Sequence, residues 1–224
     1  MPDFKLDCVL FDLDGTLVDT APDLVACLNR ALDDHGYAQV AYEEIKPLIS
    51  FGALPMIKRA APEAAAELQQ RILTDMLDYY QLNIATHSRF YQGMQDTLAH
   101  IEMLGLKWGV VTNKRQRFTD PLMAALQLST RAACIISGDS TPYSKPHPAP
   151  MLAACEQAGV KPENCVYIGD AAHDISAGKT VNMKTLVALY GYIPVDGHPH
   201  SWGADAMIEH PQQLQHWISA TLCL

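Results

Sequence analysis

The sequence predicts an α/β protein in which helices cover both faces of a parallel sheet and a further helical segment is inserted after the first strand. Three observations lead to this fold class. Short apolar runs recur along the chain, amphipathic helical patterns separate most of them, and one long helical stretch interrupts the alternation. Strands that alternate with helices are typical of βαβ units, whose strands run parallel.

The first apolar run, CVLF at residues 8–11, predicts a buried strand. It ends in DLDGT, where Asp12 and Asp14 stand one residue apart and Gly15 follows. Turns favour Asp and Gly on conformational grounds, so these residues alone do not indicate chemistry. A calcium loop of the EF-hand type does not fit, because that loop requires Gly at its sixth position and Glu at its twelfth.

The chain after this motif departs from the alternation. Residues 18–94 look helical throughout, with DLVACLNRALDDHG and EAAAELQQRILTDMLDYYQ as the clearest patterns. This stretch predicts an inserted helical cap domain at residues 18–94, which returns through FYQGM. The predicted core domain then comprises residues 1–17 and 95–224.

The alternation of strand and helix resumes after the cap. Apolar runs predict strands at 106–111, 133–137, 165–169 and 185–191, and spacings of three and four predict helices at 96–105, 118–128 and 148–159. In a parallel sheet of this kind, ligands bind at the carboxyl ends of the strands.

Polar residues follow several of these strands. Thr112 and Asn113 follow the second strand, Asp170 and Asp174 lie in GDAAHD after the fourth, and Lys145 stands in SKPHPAP between them. One such strand end is ordinarily turn chemistry. Several strands whose polar end residues lie on the same sheet edge as Asp12 predict a functional site at that edge.

These residues resemble the haloacid dehalogenase-like phosphohydrolases, whose four motifs are matched in order by DLDGT, VVTNK, SKPHP and GDAAHD. Within that family the chain is similar to the phosphoglycolate phosphatase group. IATHSRFYQGM, LKWGVVTNKRQRF, YGYI and SWGAD resemble the branch of N-acetylmuramic acid 6-phosphate phosphatases. The resemblance implies a Rossmann-like core with a helical cap and hydrolysis of a small-molecule phosphate monoester.

Breaking a phosphate monoester requires a nucleophile, a proton donor for the leaving oxygen, and positive charge near the phosphoryl oxygens. Asp12 can attack phosphorus and form an aspartyl-phosphate, and Asp14 can exchange protons with the leaving group and with water. A carboxylate that attacks a phosphate dianion needs a hard divalent cation, and Mg²⁺ fits oxygen ligands.

The resemblance implies further roles. It assigns Mg²⁺ to the Asp12 side chain, the Asp14 main-chain carbonyl and Asp170, with Asp174 in support. It assigns phosphoryl binding to Thr112, Asn113 and Lys145. Thr16 is expected to brace the turn and Asp14.

The cap is expected to contact the leaving group through residues 50–60 or 86–90, with His87, Ser88 and Arg89 as candidate substrate-binding residues. Lys58 and Arg59 are expected to form a solvated helix face. N-acetylmuramic acid 6-phosphate is expected to be a better substrate than phosphoglycolate.

Other functions remain as alternatives. A phosphomutase of the same family would share the core motifs. A phospho-accepting receiver or binding protein would also use a strand-end Asp, but a receiver would lack a second acid such as Asp14.

Composition narrows the partners. The 224 residues are 49% hydrophobic and 18% charged, and the formal charge of −9 includes no basic run, which argues against nucleic acid as a partner. No apolar stretch is long enough to cross a membrane and the N-terminal residues do not resemble a signal peptide, so a cytoplasmic location is expected. No feature of the sequence indicates the oligomeric state.

Overall fold

The structure, a computed structural model, describes residues 4–223. Its strands are β1 (Cys8–Phe11), β2 (Val18–Asp19), β3 (Arg89–Phe90), β4 (Lys107–Val111), β5 (Cys134–Ile136), β6 (Cys165–Gly169), β7 (Lys184–Ala188) and β8 (Ala206–Ile208). Its helices are α1 (Ala21–Asp34), α2 (Tyr42–Ile45), α3 (Ala53–Ala60), α4 (Ala66–Leu82), α5 (Met94–Met103), α6 (Gln116–Ala125), α7 (Ala149–Ala158), α8 (Ala172–Thr180) and α9 (Gln212–Thr221). Short 3-10 turns cover Lys46–Phe51, Pro162–Asn164 and Pro199–Ser201.

The main sheet has six parallel strands in the order β5-β4-β1-β6-β7-β8, which confirms the predicted α/β class. All five strands predicted from apolar runs are present. β8 was not predicted, because its three residues stand between Asp205 and Glu209 and only Ile208 is buried, so no longer apolar run marks it.

β1 is the strand on which the site depends. All four of its residues are buried, and it pairs in parallel with β4 on one side and β6 on the other. Phe11 is opposite Val110 in β4 and opposite Ile168 in β6, so the three strands end nearly level. The residues that follow them therefore meet at one edge of the sheet.

Helices cover both faces of the sheet, as predicted. On one face Val9, Phe11 and Ile168 pack in a cluster that includes residues of α5 and α9. On the other face Leu10 and Tyr167 pack in a cluster that includes residues of α7. Alternate residues of the same strands point to opposite faces, so each central strand is buried on both sides.

The segment between β2 and β3 forms a separate helical cluster, in which residues of α1 pack against those of α3 and α4. β2 and β3 pair antiparallel where the chain leaves and returns, with Val18 opposite Phe90 and Asp19 opposite Arg89. This pair of two-residue strands was not predicted. The separate cluster supports a cap at 18–94, and the two domain boundaries stay a prediction. Within residues 4–223, no helix is both long and apolar enough to traverse a lipid bilayer.

Candidate active site

Asp12 and Lys145 form an ion pair at the carboxyl edge of the sheet. Asp12 follows β1 and is 5% exposed, and Lys145 lies in the loop before α7 and is 4% exposed. The Lys145 Nζ is 2.9 Å from Asp12 Oδ1, 2.8 Å from Asp174 Oδ1 and 2.9 Å from the Val111 carbonyl oxygen. The Tyr167 hydroxyl is a further acceptor at 2.8 Å. An isolated lysine in a sequence is ordinarily exposed, but the tertiary structure places this one in the interior.

Asp12, Asp170 and Asp174 bring three carboxylates together, with one oxygen of each within 4.8 Å of the others. Both oxygens of Asp174 accept hydrogen bonds, Oδ1 from Lys145 at 2.8 Å and Oδ2 from the Ala171 N–H at 3.0 Å. Asp170 differs, because its Oδ1 is buried and has no hydrogen-bond partner among the described residues. Together with the two neighbouring carboxylates, this free acceptor forms a group of ligands that could hold a metal ion.

The pKa values follow this arrangement. Burial and the neighbouring carboxylates of Asp12 and Asp174 raise the pKa of Asp170 well above its usual value. Burial also raises the pKa of Asp12, against the opposing effect of Lys145. Burial acts to raise the pKa of Asp174 as well, but the charges of Lys145 and His173 and the hydrogen bonds from Lys145 and the Ala171 N–H together lower it. Lys145 alone therefore does not compensate the negative charge of the three buried carboxylates.

Asp170 Oδ2 is held from two directions. The Tyr192 N–H donates to it at 2.7 Å, and the Ser50 hydroxyl, from the helical segment, donates to it at 3.1 Å. Gly15, at φ +81°, lies so close that a Cβ there would be 2.2 Å from Asp170 Oδ2. Glycine is required at this turn both for its positive φ and for the close approach.

Asp14 is held separately from this cluster. Its carboxylate accepts a hydrogen bond from the Thr20 hydroxyl. It also accepts from Lys114 Nζ, which is 2.9 Å from Oδ1 and 3.2 Å from Oδ2. The Lys114 side chain is only 7% exposed and its Nζ lies 4.6 Å from the centre of the Tyr80 ring of α4. Burial acts to lower the pKa of Lys114, but the negative charge of the Asp14 carboxylate acts in the opposite direction, and the pKa lies above its usual value. The sequence analysis gave Lys114 no role, although it lies in the motif VVTNK.

Thr16 makes no hydrogen bond to Asp14, and its role in bracing the turn stays a prediction. The Thr16 hydroxyl is buried and has no hydrogen-bond partner among the described residues, and Thr20 holds Asp14 instead. The reason is the turn at Gly15, where the Gly15 N–H donates to the Val18 carbonyl at 3.0 Å and the chain folds back. This fold brings the start of α1 beside Asp14.

Thr112 and Asn113 lie where they were predicted, but their side chains already have partners. Thr112 Oγ1 accepts from the Lys114 N–H at 3.1 Å. The Asn113 amide exchanges two hydrogen bonds with the Lys145 backbone, at 2.9 Å to its Oδ1 and 3.1 Å from its Nδ2. The Asn113 side chain therefore holds the Lys145 loop in position, and phosphoryl binding by either residue stays a prediction.

A cavity of about 590 Å³ lies between the sheet edge and the helical segment. From the core it is lined by Asp12, Asp14, Thr112, Asn113, Lys114, Arg115, Arg117, Phe118 and His173. From the helical segment it is lined by Leu24, Ile49, Ser50, Gly52, Ala53, Leu54, Met56, Gln70, Leu73, Thr74, Leu77, Asp78 and Tyr80. Its volume falls in the ordinary range of small-molecule sites.

His87, Ser88 and Arg89 do not line this cavity, and a role for them in substrate binding stays a prediction. The buried carboxylate of Asp23 in α1 accepts from the N–H groups of His87 and Ser88, each at 2.8 Å, and from the Ser88 hydroxyl at 2.6 Å. The segment thus supplies hydrogen bonds that a buried carboxylate requires.

The other candidate segment, residues 50–60, does contribute to the cavity. Ser50, Leu54 and Met56 line it. Lys58 and Arg59 do not, and Arg59 pairs with Glu44 at 2.8 Å with its side chain 61% exposed. The interpretation of these two cations as a solvated helix face fits the structure.

Comparison with known proteins agrees with this geometry. The family model described as haloacid dehalogenase-like hydrolase matches residues 9–188. The chain is 39% identical to an N-acetylmuramic acid 6-phosphate phosphatase of Pseudomonas putida, over 98% of this chain and 99% of the relative. It is 38% identical to a phosphoglycolate phosphatase of Xylella fastidiosa, over 92% of this chain and 90% of the relative. A crystal structure from Haemophilus somnus, described as a predicted phosphoglycolate phosphatase, matches with a TM-score of 0.85 and 28% identity, over 97% of this chain and 99% of that one.

Proposed function

Because the chain belongs to the haloacid dehalogenase-like hydrolase family and is a phosphatase, we propose that it is an Mg²⁺-dependent enzyme that acts through an aspartyl-phosphate on Asp12. We further propose that its substrate is N-acetylmuramic acid 6-phosphate. The observation that carries the mechanism is the position of Asp12, a buried carboxylate at the floor of a cavity, beside Lys145 and near a second, separately held carboxylate.

In the first step an Asp12 carboxylate oxygen forms a bond to phosphorus while the bond from phosphorus to the ester oxygen breaks. In this step Asp14 acts as the general acid and gives a proton to the leaving oxygen, which departs as an alcohol. Lys145 Nζ, 2.9 Å from Asp12 Oδ1, is placed to stabilise the charge on the phosphoryl oxygens.

In the second step a water oxygen attacks phosphorus and the bond between phosphorus and Asp12 breaks. Asp14, now a carboxylate, takes a proton from that water, and inorganic phosphate is released. Asp14 can serve in both steps because Thr20 and Lys114 hold its carboxylate apart from the Asp12 cluster.

The residues at the sheet edge fit a divalent cation. Asp170 has an unpartnered buried oxygen and a raised pKa, and it lies within reach of Asp12. We propose that Asp12, Asp170 and the Asp14 main-chain carbonyl hold Mg²⁺, with Asp174 in support, since both oxygens of Asp174 already accept hydrogen bonds. Bound Mg²⁺ supplies positive charge that lowers the repulsion between the Asp12 carboxylate and the phosphate.

The choice of substrate is supported by two facts. The match to the Pseudomonas putida relative, named for N-acetylmuramic acid 6-phosphate, extends over nearly the whole of both chains. The cavity of about 590 Å³ is also far larger than a glycolate leaving group needs.

Parallel initial-rate measurements with Mg²⁺ test this substrate. We expect kcat/KM for N-acetylmuramic acid 6-phosphate to exceed that for phosphoglycolate by at least about tenfold, which corresponds to about 1.4 kcal/mol. An equal or higher value for phosphoglycolate would contradict the proposed substrate and leave the phosphatase activity in place. Release of inorganic phosphate, rather than transfer to a second sugar position, separates hydrolysis from the phosphomutase alternative.

A further inference from the structure

Two cations lie over two aromatic rings along one side of the cavity. Lys114 Nζ is 4.6 Å from the centre of the Tyr80 ring, and the Arg117 guanidinium carbon is 4.4 Å from the centre of the Phe118 ring. The two rings are neighbours, with centroids 5.4 Å apart. All four residues line the cavity, so the aromatic pair separates an inner cation from an outer one.

The two cations differ in their partners. Lys114 is bound to Asp14 at 2.9 Å and its side chain is 7% exposed. Arg117 is exposed, and within residues 4–223 no carboxylate lies within 4.0 Å of its guanidinium. A guanidinium stacked on a ring keeps the donors at the edge of its plane available, and these donors match the two oxygens of a carboxylate.

We infer that Arg117 binds a carboxylate on the leaving group, and that the site therefore takes phosphate monoesters of bulky acids. This inference rests on the proposed phosphatase function. Asp12 is buried and Arg117 is exposed, so a leaving group that contacts Arg117 must extend from the buried sheet edge to the exposed part of the cavity lining. Phosphoglycolate is a short ester, because a single methylene joins its ester oxygen to its carboxylate. In N-acetylmuramic acid 6-phosphate, a pyranose ring and an ether arm stand between the two anions.

The α4 side of the cavity fits the body of such a substrate. Gln70, Thr74 and Asp78 are spaced four residues apart on α4, so they form a polar stripe along one helix face, and all three line the cavity. Leu73 and Leu77 lie beside this stripe and also line the cavity. A pyranose presents hydroxyl and amide groups at its edge and C–H groups on its faces, which this mixture of polar and apolar side chains can contact.

The test compares two sugar phosphates that differ in the carboxylate. N-acetylglucosamine 6-phosphate lacks the lactyl ether acid of N-acetylmuramic acid 6-phosphate and otherwise has the same ring. We expect Arg117→Gln to lower kcat/KM for the acid by about tenfold or more, since a charge-assisted bidentate contact is lost. The same variant should change kcat/KM for N-acetylglucosamine 6-phosphate by less than about twofold. Arg117→Lys, which keeps the charge without the planar donors, should give an intermediate loss.

Two control variants separate this contact from general electrostatics. Arg59→Gln removes a cation outside the cavity and should leave the ratio of the two substrates unchanged. Arg115→Gln removes the neighbouring cation that lines the same cavity but has no ring beneath it among the described contacts. Loss of discrimination in Arg115→Gln with none in Arg117→Gln would overturn the assignment to Arg117.

The outcomes also separate this inference from the proposed function. If wild type hydrolyses N-acetylmuramic acid 6-phosphate and Arg117→Gln slows both sugar phosphates equally, the inference is wrong and the proposed function stands. If wild type hydrolyses neither sugar phosphate while it hydrolyses p-nitrophenyl phosphate, the proposed substrate and the inference are both wrong. Thermal melting of each variant checks that the exposed substitutions leave the fold intact.

Discussion

The two walls of the cavity are built in different ways. On the core wall the buried carboxylate of Asp12 pairs with Lys145, which is itself buried and also pairs with the buried Asp174. On the cap wall α4 presents half-buried leucines and a stripe of polar side chains that are largely open to the cavity.

This difference separates chemistry from selectivity. Buried charges exert strong electrostatic effects and are costly to leave unpaired, so substitutions of the buried charges at Asp12, Lys145 and Asp174 should affect every substrate. Contacts on the cap wall form with the leaving group alone, so substitutions there should change the ranking of substrates. Five predictions test the contrast, in order of decreasing expected effect on turnover, with the stability of the metal-free protein taken together with the metal.

The largest effect is expected for Asp12→Asn. The amide is nearly the same size as the carboxylate but is not a competent nucleophile, so kcat should fall by at least about a thousandfold for every ester. Radiolabelled phosphate should also no longer be trapped on the protein after acid quenching. The exposed Asp33→Asn serves as the matched control. Steady-state activity of Asp12→Asn within tenfold of wild type would contradict the covalent mechanism.

Removal of the metal is expected to stop turnover of every substrate as well. EDTA should abolish activity, Mg²⁺ should restore it, and Ca²⁺ should restore it poorly because its coordination is looser. Mg²⁺ should raise the melting temperature of wild type and have little effect on Asp170→Asn.

The raised pKa of Asp170 also predicts how this residue affects the stability of the metal-free protein. Because its pKa is raised in the folded state, ionisation of Asp170 costs stability as the pH rises above its unfolded pKa, about 3.9. At neutral pH and in chelator, Asp170→Asn should therefore melt at the same temperature as wild type or higher. A clearly lower melting temperature would show that Asp170 is a structural acceptor and weaken its assignment to the metal.

A smaller effect is expected for Lys114→Met, which removes the ion pair to Asp14. Turnover of alkyl phosphates should fall by about tenfold to a hundredfold, because poor leaving groups depend on a well-placed proton donor. p-Nitrophenyl phosphate, whose leaving group needs little protonation, should be affected much less. Lys58→Met, on the cap and away from the cavity, is the control. Equal losses for both ester types would indicate that Lys114 does not act through Asp14.

The smallest effect on the chemistry is expected for Leu73→Trp, which fills part of the cavity from the cap wall. KM for N-acetylmuramic acid 6-phosphate should rise by about tenfold, while kcat/KM for phosphoglycolate should stay within about twofold, because the smaller ester does not need that space. Leu82→Trp, the same substitution at an 81% exposed position of the same helix, should change neither. An equal fall in kcat/KM for both substrates in Leu73→Trp would contradict the proposed difference between the two walls.

The sequence by itself determined the sheet and the residues at its edge. Strands such as CVLF and CVYIG are buried on both faces, so they are continuous apolar runs that local pattern reveals. The residues that follow parallel strands must meet at one edge, which is why Asp12, Thr112 and Asp170 could be placed together before any coordinates. The family resemblance, carried by four short motifs, was confirmed by comparison.

Only the tertiary structure decided which side chains are partners. Lys114 holds Asp14 across 100 positions of sequence, and no local pattern encodes a contact over that separation. Thr20 rather than Thr16 meets Asp14 because the turn at Gly15 brings α1 back. The N–H groups of His87 and Ser88 donate to the buried Asp23 carboxylate, 64 and 65 positions away in the sequence, which no local pattern encodes. Backbone pattern follows from neighbouring residues, whereas the pairing of buried polar groups depends on distant segments that meet only once the chain has folded.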